Sequence, residues 1–196
     1  MITIFDNLTA MIIGSAVLLI MLNMQRQTQQ IAVERTLNHV STRHSIEFGR
    51  WIQEDLANVG AGVSQNAAAM QAPRVNADGL TREFSFWRKL DAGAASAVLV
   101  AYTLDLADTV HVQRGRQKVA MPLYRVRRTT DGQADGESMP TLTDFKIELL
   151  DGEGETTATP AEARYIRVQF SSVSRIFRES SYLHENHWAT TVPLRR

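Results

Sequence analysis

The sequence predicts an α+β fold, in which a long N-terminal helix, transmembrane in its first part, packs on a C-terminal antiparallel β-sheet. Three observations predict it. The first is an uncharged apolar run near the N-terminus. The second is that apolar residues continue to recur with helical spacing beyond this run, with no proline before Pro73. The third is that after Gly79 apolar and polar residues alternate with a period of two, as in β-strands. These patterns divide the chain into a transmembrane segment at 1–25, an extramembrane helix at 26–72 and a sheet domain at 73–196.

The composition excludes several classes of protein. The 21 Lys and Arg balance the 21 Asp and Glu, and 44% of the residues are hydrophobic. A disordered chain would have fewer apolar residues and a high net charge, and a globally basic nucleic-acid binder would carry a positive field. Because cysteine is absent, disulfides, thiol catalysis and cysteine-based zinc sites are excluded as well.

The first predicted element is a membrane-spanning helix. The 19 residues between Asp6 and Arg26 carry no charge, and at 1.5 Å per residue they span about 28 Å, close to the hydrocarbon core of a bilayer. A buried helix of a soluble protein and a cleavable secretory signal are the alternatives. A signal needs a basic start and a small-residue cleavage site, but no Lys or Arg precedes Arg26, so we expect a retained anchor.

The second predicted element continues the same helix out of the membrane. Apolar residues recur at steps of three and four and form one stripe, which we expect to pack on the soluble domain. Gly60 and Gly62 mark a plausible end, so the helix should have roughly 55–60 residues in all. The stripe consists of Ile31, Val33, Leu37, Val40, Phe48, Trp51, Ile52, Leu56, Val59 and Val63.

The remaining elements are predicted strands joined by short turns. A hairpin is expected around Gly115, and the turns are expected at Asp131-Gly132, Asp135-Gly136 and Asp151–Gly154. Alternating or continuous apolar runs favour at least four antiparallel strands that form a sheet with one buried face. We expect the apolar stripe of the long helix to cover that face. The predicted strands are 83–89, 97–104, 110–114, 118–128, 145–150, 165–173 and 190–194.

A block of basic residues occupies the predicted hairpin, and eight acids with one lysine follow between Asp131 and Glu155. Two interpretations remain open. The two segments are either solvated hairpin faces or complementary surfaces through which subunits dock, where charge favours specificity more than affinity. The candidate docking residues are Arg114, Arg116, Lys118, Arg125, Arg127 and Arg128.

Metal and catalytic sites are weakly supported. His184 and His187 lie three apart in what is expected to be a polar loop, with no convincing third ligand. Asp131, Asp135 and Glu137 could bind calcium through oxygen ligands, but their spacing is not that of an EF-hand. No nucleophile–base motif, phosphate loop or carboxylate pair is present, so we expect no enzyme, cofactor, metal, nucleic acid or small-molecule substrate.

Several local runs resemble those of type IV pilin-like proteins, in particular the minor pilin W and pseudopilin J group. The runs are Pro122–Arg128, Leu142–Leu149, Arg164–Phe170 and the closing Thr190–Arg196. The resemblance covers nearly the whole chain as a pattern. It implies a pilin-like fold and a non-enzymatic subunit that initiates or caps a type IV pilus or type II secretion filament.

The resemblance also implies an assembly role for residues near the N-terminus. Pilins have a basic leader that ends in Gly and a mature start similar to Phe-Thr-Leu-Ile-Glu. If Met1 is removed, Ile2–Asp6 matches that start with Asp6 as the acid; otherwise the chain is not processed. Asp6 would pair with a neighbour's terminal amine, or cap the helix at the membrane interface. Gly14, Ser15 and Ala16 would permit close helix approach.

The expected partners are the lipid bilayer and either other pilin-like subunits or a larger membrane complex. The expected location is the bacterial cytoplasmic (inner) membrane, crossed once, with the sheet domain on the periplasmic or extracellular side. A count of flanking charges, with Arg26, Arg35 and Arg43 after the span, favours the opposite orientation. A lost basic leader would explain that conflict. The alternative function is a single-span accessory subunit of another membrane complex, which reuses a pilin-like domain.

Overall fold

The computed structural model describes residues 2–61, 63, 69–89, 96–114, 117–174 and 184–194. It contains one long N-terminal helix packed on a C-terminal antiparallel sheet, so the α+β prediction is confirmed. By compactness the chain divides into one unit at Met1–His39 and another at Val40–Arg196. The first unit is entirely helical over its described residues.

Helix α1 runs from Ile2 to Ala57, 56 residues, which agrees with the predicted length. Its sequence contains no proline, so no backbone donor is missing from the helical ladder. The helix ends where Asn58 donates its side-chain amide to the carbonyl of Glu54. Gly60 then adopts a φ of 78° and donates its N–H to Trp87 O at 2.7 Å, which joins the chain to the sheet. Gly62 lies outside the described residues.

Eight strands follow within the described residues, and every pairing between them is antiparallel. Their order across the sheet is β1-β2-β3-β4-β6-β7-β8, and β5 pairs with the part of β4 beyond its contact with β6. The strands are β1 Arg74–Val75, β2 Thr81–Arg88, β3 Val98–Arg114, β4 Gln117–Thr130, β5 Gln133–Glu137, β6 Leu142–Leu150, β7 Tyr165–Ser174 and β8 His184–Pro193.

The strand predictions hold with three corrections. The predicted strands 97–104 and 110–114 are one strand, β3, because a bulge between Leu106 and Asp108 lets the ladder continue. Asp135-Gly136 is not a turn, since both residues lie in β5. The segment from His184 to His187 is not a loop but the start of β8, paired with β7. The short strands β1 and β5 were not predicted.

The turn at Asp131-Gly132 forms as predicted, with φ values of 48° and 80° that suit a two-residue hairpin between β4 and β5. The turn at Asp151–Gly154 also forms, and Gly154 has a φ of 88°. In the second turn the Asp151 side chain accepts the N–H groups of Glu153 and Glu155, which fixes the turn locally. In the first turn the Asp131 side chain accepts the N–H of Leu99 and so ties the turn to β3.

The core lies between α1 and one face of the sheet. Phe48, Ile52 and Leu56 of the helix are buried there, as the stripe predicted, against a layer of aromatic and aliphatic side chains. The alternation predicted for β7 is confirmed, because Ile166, Val168 and Phe170 are buried and the residues between them are half-buried. The sheet's main contributors are Phe84, Phe86, Val100, Tyr102, Val126, Phe145 and Ile147.

Candidate functional site

The N-terminal part of α1 is long and apolar enough to cross a membrane, judged by length and composition. Its large apolar side chains are exposed, among them Met11, Val17 and Leu19. Two of its hydroxyl groups are satisfied within the helix, since Ser15 donates to Met11 O at 2.7 Å and Thr9 donates to Phe5 O at 2.8 Å. A helix that spans a membrane has to form the hydrogen bonds of its polar groups within itself, because hydrocarbon offers no partner for them.

The predicted assembly residues lie along this part of the helix. Gly14, Ser15 and Ala16 are exposed, and a Cβ built at Gly14 would meet nothing within 4 Å. Consecutive residues on a helix are about 100° apart, so these three do not share one face. Asp6 lies within α1, but its side chain is outside the described residues.

The apolar stripe of α1 has two different environments. Towards the C-terminus Phe48 and Ile52 are buried in the core, as described above. Further towards the N-terminus Ile31, Val33 and Val40 are 49%, 58% and 39% exposed. The exposed portion continues the apolar character of the helix beyond its uncharged segment. Val33 and Val40 lie about 20° apart around the helix and share a face, whereas Ile31 lies on the opposite side.

A buried cluster of charged groups fixes the C-terminal part of α1 to the sheet. Asp55, 2% exposed, faces two guanidinium groups: Arg128 Nε donates to its Oδ2 at 2.7 Å, and Arg88 donates to its Oδ1. The Tyr102 hydroxyl also donates to Asp55, and Arg128 reaches on to Asp135. Two carboxylates therefore balance two guanidinium groups, and the cluster joins α1 to β2, β3, β4 and β5.

The protonation of the cluster follows from its burial and its partners. Burial raises the pKa of the Tyr102 hydroxyl well above its ordinary value, and the negative charge of Asp55 raises it further. Burial disfavours the charged form of Arg128, but hydrogen bonds to Asp55 and Asp135 outweigh that effect and hold its pKa above the ordinary value. Tyr102 is thus a neutral donor and Arg128 a cation.

Trp51 covers the cluster from the helix. The Arg128 guanidinium lies 5.5 Å from the centre of its ring, and Tyr102 meets that ring edge-on at 6.1 Å. Gly136 of β5 lies against the same ring, because a Cβ built there would come within 2.6 Å of Trp51 Cη2. The absence of a side chain at this position lets β5 approach the helix.

Sequence reasoning missed this cluster, although one pattern pointed to it. Asp55 falls within the apolar stripe. It is three residues after Ile52, directly before Leu56 and four residues before Val59. An acid at a core-facing helix position has to find a buried cationic partner. The pattern could not say which of the many arginines in the sheet would reach it.

The predicted docking residues fall into separate environments. Arg128 is buried in the cluster, so the docking prediction does not extend to it. Arg125 and Arg127 are half-buried on the sheet and pair with Glu137 at 3.4 Å, and Arg127 also pairs with Asp105 at 2.9 Å. The basic and acidic segments are therefore complementary within one chain. Lys118 is exposed, the side chain of Arg114 is not described, and Arg116 lies outside the described residues.

A shallow groove of ≈ 680 Å³ crosses the outer face of β6, β7 and β8. In it Ser171 Oγ lies 2.8 Å from His187 Nδ1, and His187 Nε2 lies 3.9 Å from Glu185 Oε2. The three groups resemble a nucleophile, a base and an acid in order. However, β7 lies between two paired strands, so its backbone N–H groups are committed to the ladders and do not form an oxyanion hole.

The weakly supported metal ligands are engaged with the protein itself. The side chain of His184 lies outside the described residues, and His187 Nδ1 lies 2.8 Å from Ser171 Oγ. Asp131 accepts the N–H of Leu99 at 2.9 Å, and the carboxylates of Asp135 and Glu137 pair with arginines. Among the residues that the structure describes, no group of three His, Asp or Glu side chains could hold a metal ion.

Comparison with protein-family models, with curated proteins and with solved structures finds no match for this chain.

Proposed function

We propose that this protein is a non-enzymatic, membrane-anchored assembly subunit of the type IV pilin-like kind, similar to minor pilins and pseudopilins. It is held in the bacterial cytoplasmic membrane by the first part of α1, with its sheet domain on the periplasmic or extracellular side. There it initiates or caps a filament of a type IV pilus or type II secretion system.

One observation carries the proposal: a single unbroken helix is apolar and exposed at its N-terminal end and locked into a sheet core at its C-terminal end. A filament subunit has to leave the bilayer and enter a bundle of sister helices. An uncharged, exposed helix suits both environments, because lipid chains and neighbouring helices offer it similar apolar contacts. The Asp55 cluster supports the proposal as well, because it would transmit force between the anchor and the sheet domain.

The proposed role of Asp6 supplies the first test. A lone carboxylate near the membrane is costly unless it finds a partner, and a neighbour's terminal amine would be one. We expect Asp6→Ala to reduce co-purification with sister subunits while leaving the protein in the membrane fraction, and Asp6→Glu to retain both properties. Unchanged co-purification of the Ala variant would remove Asp6 from assembly.

Cross-linking supplies the second test. The chain has no cysteine, so single cysteines at Ala16 and at the exposed Glu153 can report neighbours in native membranes. We expect disulfide cross-links through Ala16→Cys, within a bundle of helices, and none through Glu153→Cys. Mass spectrometry of the native N-terminus, with a methylated residue expected, would complete the test.

Two results would overturn the proposal in favour of the accessory-subunit alternative. These are an unmodified Met1 with no upstream codons, and stable co-purification with a complex that forms no filament.

A further inference from the structure

The last strand of the sheet, β8, has an outer edge along which no strand pairs within the described residues. It has ten residues and pairs with β7 along its whole length without a bulge. The opposite end of the sheet is protected, because β1 has two residues and the chain before it covers β2, where Trp87 donates its N–H to Ala69 O at 2.8 Å. A regular edge strand without such protection is a template for pairing with another chain.

Alternate residues of β8 direct their backbone groups away from β7. In an antiparallel pair, residues that bond to the neighbouring strand alternate with residues that do not. Val173 of β7 lies opposite Glu185, but it donates its N–H to Thr141 O on the β6 side. Leu194, just after β8, donates its N–H to Arg164 O at 2.8 Å. Even-numbered residues of β8 therefore bond to β7, and the N–H and C=O groups of the odd-numbered ones lie at the open edge. These residues are Glu185, His187, Ala189 and Thr191.

This edge lacks the charges that usually keep edge strands apart. From Asn186 to Val192 the sequence contains no Lys, Arg, Asp or Glu. Pro193, which has no N–H to donate, ends the row of donors. Glu185 begins it, and among the described residues its carboxylate meets the Thr143 hydroxyl at 3.4 Å and His187 Nε2 at 3.9 Å, but no Lys or Arg. The edge is therefore open to a strand that brings a cation to Glu185.

An exposed apolar side chain of α1 lies beside the same edge. Gly49 faces the Trp188 ring, and Thr42 donates its hydroxyl to Asn186 Oδ1 at 3.3 Å, so this flank of the helix lies over β8. Ile46 is farther from the buried stripe, about 40° beyond Thr42 and about 60° beyond Gly49 around the helix. It is 44% exposed. A strand added to β8 would place its helix-facing side chains next to Ile46.

A second copy of β8 does not suit this position. Its helix-facing side chains, Trp188 and Asn186 among them, are packed under its own α1 and cannot turn to Ile46 of another chain. The described residues of β8 also include no Lys or Arg to place opposite Glu185. An extended segment of a different protein, with no helix over it, can supply both contacts.

We propose that β8 binds an extended segment of a partner protein, which adds a strand to the sheet. Alternate side chains of that segment are apolar and face Ile46, and the others are basic and lie on the outer face with Glu185. Cross-strand neighbours share a face, so the basic residues are those whose backbone bonds to β8. The inference goes beyond the proposed function, because it holds whether or not α1 enters a membrane.

Two synthetic peptides of equal composition test the inference on the detergent-solubilised full chain. In both, valine alternates with lysine. One is N-methylated on its valines, whose N–H groups would point away from β8, and the other on its lysines, whose N–H groups would point towards it. We expect the first peptide to bind, and the second to bind at least about tenfold more weakly, because its donors are lost. Fluorescence anisotropy of labelled peptides measures both affinities, and equal affinities would overturn the inference.

Hydrogen exchange at single-residue resolution, read by mass spectrometry, locates the contact. In the free protein the N–H groups of Ala189 and Thr191 should exchange fast and those of Trp188 and Thr190 slowly. The first peptide should slow the exchange of Ala189 and Thr191. Slow exchange there without peptide would show that the edge is already covered, and protection that rises with protein concentration alone would show that a second copy is the occupant. Either result would refute the inference.

Substitutions test the two flanking contacts. We expect Ile46→Ser to weaken binding of the first peptide by about threefold or more, because apolar contact area is lost. Glu185→Gln should weaken it as well and reduce its dependence on salt. Val75→Ser is the matched control, since Val75 is an exposed apolar residue of β1 at the protected end of the sheet, and it should leave the affinity unchanged. Equal affinities for the Ile46 and Val75 variants would contradict the stated position of the added strand.

Discussion

At the scale of single residues, Asp55 joins the helix to the sheet. It is almost fully buried, and three donors from three different strands converge on its two oxygens. Attraction between buried charges offsets the cost of removing them from water only when the hydrogen bonds are nearly complete. The cluster comes close to that condition through Arg88, Arg128 and Tyr102, and Asp135 balances the remaining positive charge. Within the described residues, Arg88 Nε is its buried donor without a hydrogen-bond partner.

Replacing the carboxylate should therefore destabilise the domain strongly. We expect Asp55→Asn to lower the free energy of unfolding by about 3–5 kcal/mol, because it leaves two buried guanidinium groups with one carboxylate. Urea unfolding of the detergent-solubilised protein, followed by tryptophan fluorescence, measures the change. Glu47→Gln is the control, since Glu47 pairs with Arg43 on the exposed side of the same helix, and it should leave the unfolding curve unchanged.

The Tyr102 hydroxyl predicts a pH dependence. Its pKa is raised in the folded state, because burial and Asp55 disfavour the phenolate. A raised pKa contributes stability that is complete below the unfolded value of about 10 and is lost as the pH rises above it. We expect the absorbance of tyrosinate near 295 nm to develop in two phases on alkaline titration, the later one coinciding with unfolding. Tyr102→Phe should remove the later phase, and a single phase in the unchanged protein would contradict this assignment.

At the scale of elements, two glycines set how closely α1 and its neighbours approach. Gly49 of α1 faces the ring of Trp188 on β8, and a Cβ built there would lie 2.3 Å from Trp188 Cε2. Gly136 has the same role against Trp51. Trp188 also stacks on Phe170 at 5.0 Å, so the ring has little freedom to move away.

This packing predicts that Gly49→Ala has opposite effects on the free energy of unfolding with and without the Trp188 ring. Alanine favours a helix over glycine by about 1 kcal/mol, but overpacking a tight contact costs about 1–3 kcal/mol. We expect Gly49→Ala to destabilise the protein, and the same substitution to become stabilising in a Trp188→Ala background. Chemical unfolding of the unchanged protein, the two single variants and the double variant measures the coupling between positions 49 and 188. If the effects of the two substitutions on the free energy of unfolding are additive, the Trp188 ring adapts to the added methyl group and the contact does not limit the packing.

The strands show how much of an element the local sequence determines. The alternation in 165–173 predicted β7 closely, because one face of that strand is buried and the other is not. In β3 the apolar pattern is interrupted at Leu106–Asp108, which suggested two strands. The interruption is a bulge, and only pairing with β4 across the bulge reveals that the strand continues.

At the scale of the whole molecule, the distribution of apolar residues predicts a chain with an anchor and a folded domain. The exposed part of α1 has no cover in the described residues, and a bilayer would supply one. The exposed apolar residues Ile31, Val33 and Val40 add surface that an isolated soluble domain would not need. These surfaces are the reason that the proposed function is assembly at a membrane and not catalysis.

A charge within the anchor should prevent insertion. We expect Leu18→Arg to shift the protein from the carbonate-resistant membrane fraction towards the extractable one, since arginine at the centre of a span costs about 2.5–3.5 kcal/mol. Ile31→Arg is the matched control, an exposed isoleucine of the same helix beyond the uncharged segment, and it should remain carbonate-resistant. Equal extraction of the two variants would argue against a span at 7–25.

The sequence by itself determined the long helix, its apolar segment, most of the strands and the α+β class. Each depends on a local periodicity that the backbone geometry imposes. Only the tertiary structure decided which arginine of the basic block is buried, where Asp55 finds its partners, and which backbone groups of β8 lie at the edge of the sheet. Those features depend on contacts between residues up to 73 positions apart. Such contacts follow from strand order and register, and a one-dimensional pattern of charge and hydropathy does not encode them.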